Sequence, residues 1–155
     1  MAKLQIINDS KEFIDAISKK NNDLFLFKED AFEPIDDILD RILYAHNKYG
    51  VQCIYTDLII SDGDIKSNQY YLDIENPNLD KIILSPIACV SFGEENNLKL
   101  LVQKHLKYQC FNILKQLCKH CLPWHIPELG FRINITQQDI HQIMQECQWV
   151  VQNVT

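Results

Sequence analysis

The sequence predicts an α/β domain, a layered mixed sheet flanked by helices. Short apolar or β-branched runs alternate along the chain with segments of helical periodicity. The chain has 155 residues, the size of one domain, so residues 1–155 are expected to fold as a single unit. With 46% hydrophobic residues it can bury an ordinary core.

The elements follow in order. Lys3 to Ile7 alternates like a strand. Asp9 or Ser10 can cap a helix, with Glu12 placed for a capping box and Phe13, Ile14 and Ile17 on one face. Asn21-Asn22-Asp23 is a turn, and the continuous apolar run Leu24 to Phe27 reads as a strand covered on both faces. Pro34 suits a helix's first turn. Ile35, Ile38, Leu39, Ile42, Leu43 and His46 keep its period until Gly50 stops it. Val51 to Ile60 is a strand, Ser61 to Asp64 a hairpin turn, Gln69 to Ile74 the returning strand and Asn76-Pro77-Asn78 a loop. Leu84 to Phe92 is a strand that Pro86 places near an edge.

Gly93 to Asn96 opens a long helical region reaching about Cys121, with Leu98, Leu101, Val102, His105 and Leu106 on its inner face. A short extended piece, Trp124 to Glu128, leads into the alternation of Leu129, Phe131 and Ile133. Thr136 caps a final amphipathic helix that turns Ile140, Ile143, Met144, Cys147 and Val151 inward.

The formal charge is −6 and unevenly spread: residues 1–80 hold 16 acids and 8 bases, residues 81–155 hold 5 and 7. An acidic chain repels phosphate backbones, so nucleic acid is not an expected partner. The series Lys99, Lys104, Lys107, Lys115 and Lys119 reads as a solvated helix face. No targeting segment or membrane span is visible, which leads us to expect a cytoplasmic protein with reduced cysteines. The wealth of Ile, Asn and Lys suggests an AT-rich microbial or phage coding sequence.

Cys118-Lys119-His120-Cys121 has the spacing of half a zinc site, with His105, Cys110 and His125 nearby in sequence. A structural zinc needs four ligands, and i,i+3 spacing inside a helix suits two small core residues, which is the reading adopted. His46, His105 and His141 are read as core histidines on helical stripes, and His125 as a histidine satisfied by a backbone carbonyl. Trp124 and Trp149 are expected to be core or interface anchors.

A wider pattern links these pieces. Leu24 to Phe27 is followed by Lys28-Glu29-Asp30, then Glu33-Pro34, then Ile54-Tyr55-Thr56-Asp57, and finally, after a helix, His125-Ile126-Pro127-Glu128 with Arg132-Ile133 beyond. In order and spacing this resembles the later part of the GT-A domain of family 2 inverting glycosyltransferases. The resemblance implies Lys28-Glu29-Asp30 at the metal motif, where such enzymes hold Mn²⁺ or Mg²⁺ against a sugar-nucleotide diphosphate. Glu29 and Asp30 are then the candidate ligands and Lys28 a candidate phosphate contact. Asp57 and His125 are the candidate catalytic residues. The family's catalytic acids fall on Tyr108 and Gln109, neither of which is a base at neutral pH. Only 27 residues precede Lys28, short for a nucleotide-binding half. The expectation is therefore a shortened, non-catalytic relative with no cofactor, used as a binding or assembly module with a protein partner or as a homo-oligomer. Trp149, Val150 and Val151 are its candidate partner surface. The alternative is an active sugar-nucleotide-dependent transferase with a rebuilt site.

Overall fold

The structure is a computed structural model describing residues 2–62, 65–70, 85–93 and 98–154. β1 (Leu4–Ile7), α1 (Ser10–Ser18) and β2 (Leu24–Phe27) form the opening unit, with β1 and β2 parallel. Asp9 caps α1 by accepting from the amides of Lys11 and Glu12, and Phe13 and Ile17 are the face it buries. Phe13 stacks on Phe27 with ring centroids 5.4 Å apart, fixing α1 over the sheet.

β3 (Phe32–Pro34) and α2 (Ile38–Tyr49) follow. Pro34 does not open the helix as expected: residues 32–34 pair antiparallel with β7 (Trp124–Asn134), and the helix starts at Ile38. Because β3 lies at the sheet edge, the missing proline N–H costs little. Gly50 ends α2 in the left-handed region, φ 66°, with its amide on the His46 carbonyl.

β4 (Cys53–Asp62), β5 (Ile65–Tyr70) and β6 (Ile87–Val90) come next, then α3 (Cys110–Leu117), β7 and α4 (Gln137–Asn153). The sheet runs β1-β2-β6-β4-β7-β3, with β5 paired to the far half of β4. β1, β2, β4 and β7 share one direction while β3, β5 and β6 oppose it, so the sheet is mixed. The apolar core includes the buried sides of α1, α2, α3 and α4. Among the described residues no helix is long and apolar enough to cross a membrane.

Several expectations change. Pro86 does not put its strand at an edge. β6 begins one residue later and lies between β2 and β4, so the proline costs no ladder bond. The expected long helix is helical, among the described residues, only over Cys110–Leu117. The buried Gln109 and Asn112, with Gln116, bind the preceding backbone instead. Gln109 Nε2 donates to the carbonyls of Gln103 and Leu106, Asn112 Nδ2 to that of Leu101, and Gln116 Oε1 accepts from the Leu101 amide. These side chains offer residues 101–106 a non-helical set of partners. Leu101, expected inward, is 66% exposed. The lysine series is therefore not one helix face, since only Lys115 lies in α3.

Val150 is buried in α4 rather than part of an exposed patch, and Trp149 and Val151 are half-buried. His105 and His141 are exposed, and His105 packs edge-on against Trp149. The expected turn residues Gly63 and Asp64, the end of the returning strand at 71–74, the loop at 76–78, Leu84 and residues 94–97 lie outside the described residues.

Candidate functional site

Two clusters of polar side chains form where separate elements meet. The first lies across β4 and β7, which are parallel neighbours with Tyr55 opposite His125. The pairing slips around Asp57, a local bulge in the ladder. Gly130 makes the close approach possible, because a Cβ there would lie 2.8 Å from Ile38 Cγ1 and from Thr56 Cβ. The slip sets the Asp57 carboxylate beside the imidazole. His125 Nε2 and Asp57 Oδ1 are 2.6 Å apart. The ring lies flat on Tyr55, with centroids 4.8 Å apart and planes at 8°. The His125 side chain is 31% exposed and that of Asp57 16%, so the pair is open on one side. Below this pair on β7, Glu128 forms an ion pair with Arg41 of α2, which also holds Asp37 at 3.1 Å.

His125 is thus not satisfied by a backbone carbonyl. A carboxylate orients it, and a carboxylate oxygen accepts, so Nε2 is the donor in this contact and in the neutral ring Nδ1 is the acceptor. The wild-type protein should show a downfield, slowly exchanging Nε2 proton by NMR. Asp57→Ala should lose that signal while keeping the dispersed spectrum of a folded chain. Retention of the signal would place the histidine's partner elsewhere.

The second cluster sits at the start of α3. Gln109, its N-cap residue, makes no side-chain capping bond. Distant acids instead take the amides of residues 107–109, at and just before the N-cap. Glu146 Oε1 of α4 accepts from the amides of Lys107 at 2.8 Å and Tyr108 at 3.2 Å. Glu29 Oε1 accepts from the Gln109 amide at 3.3 Å and the Cys110 thiol at 3.3 Å. Three successive N–H groups therefore face two carboxylates; the Gln109 amide is one the helix leaves free, and those of Lys107 and Tyr108 belong to the turn just before it. Burial raises the Glu29 carboxyl to about 7, against the opposing pull of the Cys110 and Gln109 hydrogen bonds, with the Glu146 charge adding to the rise. Burial also pushes the Tyr108 phenol and the Cys110 thiol up.

The structure places the candidate residues unequally. Asp57 and His125, 68 positions apart, come together. Lys28, Glu29 and Asp30 diverge. Lys28 Nζ donates to the Phe32 carbonyl at 2.8 Å, Glu29 turns to α3, and Asp30 accepts from Asn8 Nδ2 at 3.0 Å. Among the described residues, no three His, Cys, Asp or Glu side chains are grouped to hold a metal ion. Sequence reasoning missed Glu146, and it missed that Glu29 would reach residues 109 and 110. The only local hint was an α3 start with no Ser, Thr, Asp or Asn to cap it.

Fold and clusters together define an α/β protein with a mixed sheet, carrying a histidine–carboxylate pair and a carboxylate-capped helix start. The chain matches no protein-family model and no curated protein sequence.

Proposed function

We propose that the protein is a glycosyltransferase-like module that works by binding or assembly rather than as a free-standing enzyme. The observation that carries this reading is the engagement of the Lys28-Glu29-Asp30 loop within the fold. The ammonium is on a carbonyl, one carboxyl is half-buried at a helix start, and the other is held by Asn8. A divalent cation wants several charged oxygens aimed at one point. This loop does not fit that demand, and Glu29 is further unsuited because burial favours its neutral form. The two segments of the resemblance that flank α3 are neighbours in the sheet: β4 pairs with β7 and sets Tyr55-Thr56 beside His125-Ile126 in register.

A second reading has its own observation. His125 is oriented by Asp57 and partly open, an arrangement suited to accepting a proton from an acceptor hydroxyl. On that reading the protein is an active transferase that takes a sugar nucleotide with Mn²⁺ or Mg²⁺ at a rebuilt site. Calorimetric titration with common sugar nucleotides, with and without Mn²⁺, separates the two. The binding-module reading expects no Mn²⁺-dependent heat at millimolar ligand. Metal-dependent binding that disappears in Asp57→Ala would overturn it in favour of the enzyme.

A further inference from the structure

Residues 98–109 carry the period of a helix but fold as a strap beside α1. Leu98, Val102 and Leu106 recur at four-residue steps that run on through Cys110 and Leu114 of α3. A helix through them would set Leu101 beside this stripe, yet in the strap Leu101 is 66% exposed. The strap is held by side chains that stand in for helical partners. If α3 ran on toward the N-terminus, the Lys107 amide would bond the Gln103 carbonyl. Both halves of that bond are diverted. Glu146 Oε1 takes the amide at 2.8 Å, and Gln109 Nε2 donates to the carbonyl at 2.7 Å. The Leu106 carbonyl, which a helix would give to the Cys110 amide, accepts from Gln109 Nε2 at 3.0 Å. The Leu101 carbonyl accepts from Asn112 Nδ2 at 3.0 Å and Gln116 Nε2 at 2.8 Å. Apolar anchorage is confined to Leu100 and Leu106, both buried, among residues 98–107. Between residues 100–102 and the Lys11, Ile14 and Ser18 side of α1 lies an open groove of about 420 Å³.

We infer that residues 98–109 are a two-state strap, whose second state is an N-terminal extension of α3 that swings away from α1 and opens this groove. The exchange is close to balanced. Each diverted backbone group trades a side-chain partner for a backbone one, so few hydrogen bonds are lost in either direction. Burial of Leu100 and Leu106 favours the strap, because the extended helix would return them to water. Two packings of one segment then differ by little enough for the second to be populated. Glu146 and the Gln109, Asn112 and Gln116 amides act as the catch, since they hold the backbone groups that a continuing helix would need.

Backbone NMR of the whole chain tests this. In the wild type the Cα shifts of residues 98–109 should be non-helical. Relaxation dispersion in that stretch should report a minor state on the order of 1% populated, with its Cα shifts displaced downfield toward helical values. The double variant Gln116→Ala Glu146→Ala frees the Lys107 and Tyr108 amides and loosens the Leu101 backbone. It should raise that population roughly tenfold. Lys104→Pro is the opposing variant. Lys104 is exposed and follows Gln103 in the turn closed by the Leu106 amide on the Gln103 carbonyl. Proline suits that position of a turn and cannot sit inside a helix. Lys104→Pro should therefore abolish the dispersion while the strap's own shifts beyond the substituted residue and its neighbours stay in place. Flat profiles in the wild type and the double variant, a minor state with non-helical shifts, or dispersion that survives Lys104→Pro would each overturn the inference.

Discussion

Gly130→Ala should destabilise the protein by roughly 2–3 kcal/mol in urea unfolding, a large effect for one added methyl group. The new Cβ would press on Thr56 and Ile38 at 2.8 Å or closer, and both are fully buried. Neither can withdraw easily, because Thr56 lies inside β4 and Ile38 opens α2 beneath β7. Relief must come from parting β4 and β7, which also parts Asp57 from His125. Two readings should therefore move together, the unfolding midpoint and the His125 Nε2 proton. In the double variant Thr56→Ala Gly130→Ala the loss should be smaller than the sum of the two single losses, because removing Oγ1 and the Thr56 methyl eases the same clash. An Ala variant as stable as the wild type would mean that the two strands have slack at this point.

Stability should fall between about pH 5 and pH 8, and Glu29 should account for much of the fall. Its folded-state carboxyl is raised to about 7 from an ordinary 4.5, chiefly by burial. The folded chain therefore holds a proton that the unfolded chain releases. The contribution is fully present below the unfolded value and is lost as pH rises through the folded one. The full shift corresponds to about 3 kcal/mol, and solvent screening at a half-buried site reduces this to on the order of 1–2 kcal/mol. Glu29→Gln tests it. The amide oxygen can still accept from the Gln109 amide and the Cys110 thiol, but it has no charge to desolvate. The variant should match the wild type near pH 5 and exceed it by on the order of 1–2 kcal/mol near pH 8. Glu146, Tyr108 and Cys110 face the same carboxyl and remain in both proteins, so the difference isolates Glu29. Equal stability at both pH values would show that Glu29 titrates like a solvated carboxylate.

The two predictions rest on contacts of different legibility. A glycine between Leu129 and Phe131 in an alternating strand already marks a bulge or a close approach. What it approaches is not written locally. Glu29 gives less warning still, since beside Lys28 and Asp30 it reads as a solvated loop charge or as part of a metal motif. Its real partners lie 80 and 81 positions away.

The sequence by itself determined the α/β class and the elements whose signals are local. The β1-α1-β2 opening, the Asp9 and Thr136 caps, the Gly50 stop and the burial of Ile140, Ile143 and Cys147 in α4 all follow from residue period and capping chemistry. Tertiary structure decided the rest. It drew Phe32–Pro34 into a strand because β7 offered an edge. It kept residues 98–109 out of the helix because buried amide side chains met their backbone more favourably than a helical turn. It brought Asp57 to His125 by a slip in strand register, and two acids to the start of α3. These are contacts between residues far apart in the chain, and a local period carries no record of them. They exist only once the core has fixed which strands are neighbours and in what register.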